Sequence, residues 1–414
     1  MHPLETYLTE LRDIRASGQA VKETSYYGPL ANLLNDIGKT LKTKVRCIIT
    51  IKNRGAGLPA GGLFTPDQFQ KASEAEPLPR RLPSRGVIEI KGTKDDAWPV
   101  AGGEQVSHYW GKYRQVLVTN YRDFVLVGQD AEGKPTKLEP YRLADSEATF
   151  WAAVANPRKL AEIHTERFIE YLKRVLLHAA TLDNPKDVAW FLASYARDAK
   201  ARIEGANVPP LTAVRTALQQ ALGLTFEDRK GDHFFRSTLV QTLFYGLFSA
   251  WVLWSKQHLP TDRKARFDWQ TTARYLRVPV LRKLFHEVAD PGQLEALNLN
   301  EVLDWTQSAL NRVDRASFFQ KFQEDHAVQY FYEPFLQAYD PELRKDLGVW
   351  YTPTEIVQYM VARVDTVLRE DLNIPDGLAD PRVYVLDPCC GTGAYLVEVL
   401  RHIGETLKPK AAMR

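Results

Sequence analysis

Leu386-Asp387-Pro388-Cys389-Cys390-Gly391-Thr392-Gly393-Ala394-Tyr395-Leu396 is the most specific stretch of the chain. The apolar run just before its end, Val383–Leu386, predicts a short buried strand that stops at Asp387. The apolar spacing from Ala394 to Leu407 predicts a helix. Between them, Gly391 and Gly393 let the backbone turn tightly and let a ligand approach the helix N-terminus. Cys389 and Cys390 read as small buried fillers of that turn. Strand, glycine turn and helix together open a doubly wound, nucleotide-type sheet.

About forty residues upstream stands Gly348-Val349-Trp350-Tyr351-Thr352-Pro353, followed by an amphipathic helix over Thr354–Leu368. In this order the two stretches resemble motifs X and I of the gamma-class N6-adenine DNA methyltransferases. The resemblance implies S-adenosylmethionine as cofactor, with Tyr351, Thr352, Pro353, Asp387, Pro388, Gly391 and Gly393 around its methionine end. Two further parts of the family pattern are absent from this sequence. One is the Asn/Asp-Pro-Pro-Tyr/Phe tetrapeptide that holds the adenine, whose amine is out of reach until the base leaves the stack. The other is the acidic residue on the second strand that would hold the ribose. The chain is therefore expected to be the front part of a longer enzyme, with a target-recognition domain beyond Arg414, and to bind S-adenosylmethionine weakly or not at all.

The N-terminal third alternates helix-like and strand-like patches. Leu4–Ile14 and Tyr27–Ile37 have helical apolar spacing, while Val45–Ile51, Val87–Ile90, Val116–Thr119 and Phe124–Val127 read as strands. Glycine and proline clusters at Gly55–Gly62 and Pro77–Pro83 separate them. At the end of the second strand, period-2 alternation puts Glu89 and Lys91 on one face and Ile90 on the other. A Mg²⁺ site for phosphodiester hydrolysis needs hard oxygen ligands and a charge to orient the attacking water. Glu89 and the Ile90 carbonyl can be the ligands, and Lys91 can hold the water.

With the preceding Gly-rich turn, Gln105 on the next helix and Glu23 on the first, this arrangement resembles the PD-(D/E)xK nuclease fold. Glu23, Glu89, Lys91 and Gln105 match its catalytic positions. Where the family carries Pro-Asp, this chain has Pro59-Ala60, and a methyl group cannot coordinate a cation. Either Asp67 substitutes or the site is disabled. The neighbouring Gly57-Leu58-Pro59 and Gly61-Gly62 fit the family turn, which favours an Asp-to-Ala change in an otherwise intact nuclease.

From about Ser146 to Leu343 nearly all the text is helical, with candidate helices at Ala161–Leu177, Val188–Ile203, Val214–Leu222, Thr238–Trp254, Ala296–Leu310 and Phe318–Tyr339. The expected architecture is α/β plus α: a PD-(D/E)xK nuclease-like mixed α/β domain (1–145), an all-helical connector (146–345) and the beginning of a Rossmann-like methyltransferase domain (346–414). That order resembles the single-chain restriction-modification enzymes of types IIG/IIL and ISP. It implies a DNA restriction endonuclease joined to an N6-adenine methyltransferase, acting on double-stranded DNA, with self-association for double-strand cleavage. The alternative is a phage-defence adenine methyltransferase whose nuclease-like region only binds DNA or a partner.

Composition bounds these readings. The 414 residues carry 54 Lys plus Arg against 51 Asp plus Glu, so bulk charge does not announce a nucleic-acid binder. Residues 1–140 hold 20 basic and 16 acidic side chains. Any phosphate-binding surface must therefore be local, with Lys52, Arg54, Arg80, Arg81, Arg85 and Lys94 as candidates. Three cysteines without a CxxC pair argue against structural zinc and point to a reducing cytosol, which the resemblance to restriction-modification enzymes implies is prokaryotic. The N-terminus lacks a signal-peptide h-region. Thr238–Trp254 is too short for a membrane span and reads as a buried helix.

Overall fold

Hydrophobic alternation sets the two faces of the sheet. The computed structural model describes residues 2–21, 23–53, 55–69, 82–130, 133–204, 229–260, 265–276, 291–322, 331–341, 352–390 and 393–412, with 212, 215, 216, 219, 262, 282 and 285 among the intervening segments. Two helices come first, α1 (Pro3–Ala16) and α2 (Tyr27–Thr40), then β1 (Arg46–Ile49), β2 (Gly61–Phe64) and β3 (Val87–Ile90). A crossover through α3 (Ala97–Ala101) and α4 (Glu104–Tyr113) leads to β4 (Val116–Thr119), β5 (Asp123–Gln129) and β6 (Pro135–Arg142). The strands lie in chain order in one six-stranded sheet. Only β3 and β4 are parallel, as their helical crossover requires.

Ile88, Ile90, Leu117, Phe124 and Leu126 point to a core shared with α1 and α2. Val87, Val116, Val118, Val125 and Val127 point the other way, against α3 and α4. Both faces are thus covered, which is why VIEI, VLVT and FVLV read as continuous apolar runs. Gly86 admits β3 to its place beside β4. Its φ is +86°, and a Cβ there would lie 2.4 Å from the Gln115 carbonyl oxygen.

Two strands were not visible in the sequence. β2 begins inside the Gly-rich stretch, and β6 contains two prolines. β6 tolerates them because it is an edge strand, paired on one side only.

The helices that follow are α5 (Glu147–Val154), α6 (Pro157–Leu177), α7 (Pro185–Glu204), α8 (Arg229–Gln257), α9 (Pro291–Ala296), α10 (Asn300–Asn311), α11 (Arg315–Lys321) and α12 (Glu333–Tyr339). Phe150, Val154, Phe168, Tyr171 and Leu172 of α5 and α6 join the sheet core, past the 145/146 boundary read from the sequence. A second core forms around α7 and α8, where Phe244, Phe248 and Trp251 meet Phe318, Phe331 and Phe335. Thr238–Trp254 is the buried middle of α8, and among the described residues no helix is long and apolar enough to cross a membrane.

Three helical expectations are corrected or fall outside view. Ala296–Leu310 is broken, because Asn298 takes a left-handed conformation (φ +53°) between α9 and α10. Phe318–Tyr339 is not one helix: Phe322 leaves helical geometry and caps α11 in an extended conformation. Most of Val214–Leu222 lies outside the described residues.

A buried charge network joins β6 to α6 and α7. Arg174 Nε donates to Glu139 Oε2 at 2.9 Å, and Arg174 Nη2 reaches Asp198 Oδ2 at 3.4 Å. Tyr195 donates its hydroxyl to Glu139 Oε1 at 2.6 Å. Burial would strip the charge from Arg174, but Glu139 and Asp198 outweigh it and hold the guanidinium protonated.

The C-terminal elements are α13 (Thr354–Glu370) and α14 (Ala394–Ala412), which share a small core of Val357, Val361, Leu378 and Val399. The expected buried strand Val383–Leu386 does not form. Its residues take no strand conformation, with Tyr384 93% and Leu386 86% exposed. A strand needs a neighbour to satisfy its backbone, and none of the described strands lies beside this one. Cys389 and Cys390 are exposed, contrary to their reading as buried fillers, while Cys47 is buried. None of the described strands covers the turn they occupy.

Candidate functional site

The site on the sheet grows from register. β2 pairs antiparallel with β3 through Gly61↔Ile88 and Gly62↔Val87. The pairing ends at Gly61↔Ile88, and Ala60 and Glu89 are the next residues beyond it on the two strands. Ala60 also belongs to the ladder on its other side, since its carbonyl accepts from Thr50 N–H at 2.7 Å. The Ala60 methyl packs against the core shared with α1 and α2. Asp67, the alternative, lies beyond the opposite end of β2, in the turn Pro66–Gln68, where its charge acts on Arg85. The structure does not bring it to Glu89.

Glu89 is almost fully buried, and Lys91 Nζ meets its Oε1 at 2.7 Å. Lys91 N–H donates to the Thr119 carbonyl at 2.9 Å, which continues the β3–β4 ladder and fixes the lysine on the Glu89 face. Burial pushes the Glu89 carboxyl above its ordinary range; Lys91 opposes this and Glu23 adds to it. Burial would lower Lys91, but the hydrogen bond and charge of Glu89, with Glu23 behind, raise it instead. Glu23, from the segment before α2, is thus within electrostatic reach of both.

Around this pair, Gln105 on α4 donates its amide to the Tyr109 hydroxyl at 2.8 Å. Tyr109 lies under the Gly-rich loop: a Cβ at Gly57 would come within 3.1 Å of its ring. Tyr27 donates its hydroxyl to Glu23 Oε1 at 2.8 Å. Tyr27 and Tyr121 were not singled out as site residues in the sequence. Only the Glu23–Tyr27 spacing of four residues, at the start of a helix-like patch, hinted at one of these contacts.

The donor set does not fit a divalent cation as the chain stands. Mg²⁺ asks for an octahedron of oxygens anchored by carboxylates. Here Ala60 contributes none and the Glu89 carboxylate is closed on Lys91. Among the described residues no group of three or more acidic, histidine or cysteine side chains could hold a metal. Of the candidate phosphate contacts, Lys52 and Lys94 are exposed and Arg85 is half-buried, while Arg54, Arg80 and Arg81 lie outside the described residues.

The second candidate site lies at the other end of the chain. Pro353 caps α13, whose first turn follows Thr352. Asp387 Oδ1 accepts from Cys389 N–H at 3.1 Å, while its Oδ2 is buried without a hydrogen-bond partner. Gly393 has φ +80°, and a Cβ added there would meet nothing within 4 Å. Asp387 and Pro388 line an apolar groove of about 460 Å³ together with Met360, Val364, Tyr384 and Leu386. Tyr351 and Gly391 fall outside the described residues. An orphaned carboxylate oxygen beside an open glycine turn fits a polar ligand at the helix N-terminus.

The comparisons with known proteins bear on this second site. Residues 323–413 match the family model for N-6 DNA methylases. Over 94 residues the chain is 31% identical to the type I restriction enzyme EcoEI methylase subunit of Escherichia coli, covering 23% of this chain and 15% of that subunit. A solved structure, the DrdV–DNA complex, aligns over 99% of this chain and 36% of its own chain at 18% identity, with a TM-score of 0.37. The chain therefore spans only a minor part of either relative. It carries an N6 DNA methylase-like region of the kind found in restriction-modification systems.

Proposed function

We propose that this chain belongs to a bifunctional restriction-modification enzyme. A PD-(D/E)xK-type nuclease unit (1–145) and a helical connector (146–345) would precede the opening of an N6-adenine methyltransferase domain (346–414). Double-stranded DNA is the substrate of both activities. For the methyltransferase region the support is the match over residues 323–413. S-adenosylmethionine, when bound, supplies an electrophilic methyl group. Thr352, Pro353, Asp387, Pro388 and Gly393 are the residues proposed to cradle its methionine end, with Tyr351 and Gly391.

For the nuclease unit one observation supports the reading: the Glu89–Lys91 ion pair at the end of β3, with position 60 just beyond the Gly61↔Ile88 pairing. A carboxylate at 60 would join that of Glu89 as a cation ligand, and Lys91 would be free to hold a water. Alanine removes that acid, so the unit is proposed to be silent as it stands. Comparing Mg²⁺-dependent cleavage of DNA by the chain and by its Ala60→Asp form tests this, and equal activity sinks it. The second reading is a non-catalytic scaffold that binds DNA or a partner. The closed Glu89–Lys91 ion pair favours it for a chain whose natural residue at 60 is alanine.

A further inference from the structure

The segment that carries Glu23 is held from two sides by tyrosines. At its side chain, Tyr27, the first residue of α2, donates its hydroxyl to Glu23 Oε1 at 2.8 Å. At its backbone, the Glu23 carbonyl accepts from the hydroxyl of Tyr121, a residue 98 positions later.

Tyr121 sits at the tip of the β4–β5 hairpin, where Asn120 N–H donates to the Asp123 carbonyl around the two-residue turn Tyr121-Arg122. Its φ is +72°, in the left-handed region where this kind of turn normally places glycine. A bulky residue persists there only when its surroundings hold it. They do: its ring is fully buried and meets Tyr26 edge-on at 5.4 Å, and its carbonyl accepts from the Tyr7 hydroxyl at 2.9 Å. The hairpin tip is also next to the site, because Thr119, two residues earlier, accepts from Lys91 N–H.

We propose that Tyr27 and Tyr121 are positioning residues that act through Glu23, the first orienting its carboxylate and the second anchoring its backbone, so that it faces the Glu89–Lys91 pair. The inference rests on the nuclease reading of that pair. It explains why a tyrosine stands where a glycine would relieve the turn: glycine has no hydroxyl to reach the Glu23 carbonyl. The field around Tyr27 agrees, since burial, the Glu23 hydrogen bond and the charge of Glu89 all raise its proton affinity.

The test uses the full chain with Ala60→Asp, which is the background expected to cut. There, Tyr27→Phe and Tyr121→Phe each lower kcat about 10-fold and leave the KM for DNA and the melting temperature unchanged. Combined with Glu23→Gln, neither adds to the loss that Glu23→Gln causes alone, as required when two residues act through one group. Losses that multiply, or phenylalanine variants that cut at the parental rate, overturn the proposal. Should Ala60→Asp itself fail to cut, the nuclease reading falls. Positioning is then decided without activity, by a crystal structure of Tyr27→Phe in the chain with Ala60. The Glu23 carboxylate is expected to swing away from Glu89, and an unmoved carboxylate overturns the inference.

Discussion

Replacing Ala60 by aspartate tests the register at its most sensitive point. On the proposed nuclease reading the new carboxylate comes to about 5 Å from that of Glu89, just beyond the Gly61↔Ile88 pairing. At an effective dielectric of about 20, two like charges at that distance repel by about 3 kcal/mol. Glu23 adds to the repulsion and Lys91 offsets part of it. Without a cation the variant is therefore expected to melt roughly 6–12 °C below the parent. Mg²⁺ relieves the repulsion by binding the folded state, and at a concentration 100-fold above its Kd returns about 2.7 kcal/mol. Thermal unfolding in chelator and in millimolar Mg²⁺, on both chains, measures each part. The parent should show no difference between the two buffers, and the variant should recover most of its loss. A variant that melts like the parent in chelator, and is indifferent to Mg²⁺, would refute the placement of position 60 beside Glu89.

Other expectations follow from the same structure. Arg174→Met leaves Glu139 buried without its ion-pair partner, while Asp198 keeps Arg167 and Arg202, and should cost about 3 kcal/mol in urea unfolding. Burial works against the Glu170 carboxylate, but Arg197 and Lys173 hold its pKa down to about 2 from its ordinary 4.5. Because the folded value is the lower one, this stabilisation is complete above pH 4.5 and fades as the pH falls towards 2. It amounts to about 3 kcal/mol, readable as the slope of unfolding free energy against pH. Gly86→Ala combines a positive φ with a Cβ 2.4 Å from the Gln115 carbonyl oxygen, so β3 should lose its place and the protein its soluble expression. For S-adenosylmethionine, calorimetry on this chain should give weak binding or none; micromolar affinity would contradict the expectation drawn from its missing ribose acid and tetrapeptide.

Much of the sheet was legible because its central strands are buried on both faces. Val87–Ile90, Val116–Thr119 and Phe124–Val127 are too short and apolar to be anything else between their turns. β2 was hidden because its first two residues are glycines, which carry no apolar signal. The alternation that placed Glu89 and Lys91 on one face has its counterpart in their 2.7 Å ion pair. No local pattern, however, could show that Tyr121 would reach back to Glu23, since the two meet only when the hairpin folds under the first helices.

By itself the sequence determined the local chemistry: which short runs are apolar, where glycine permits a turn, and which motif opens the methylase-like region at 323–413. These are properties of neighbours along the chain, and side-chain period and backbone sterics decide them. Only the tertiary structure decided which residues face one another. It sent Asp67 to the far end of β2. It brought Glu23 within electrostatic reach of Lys91, and it left Tyr384 and Leu386 exposed with no described strand beside them. Those outcomes depend on pairing and register between segments far apart in sequence, where a shift of one residue exchanges the faces of a strand.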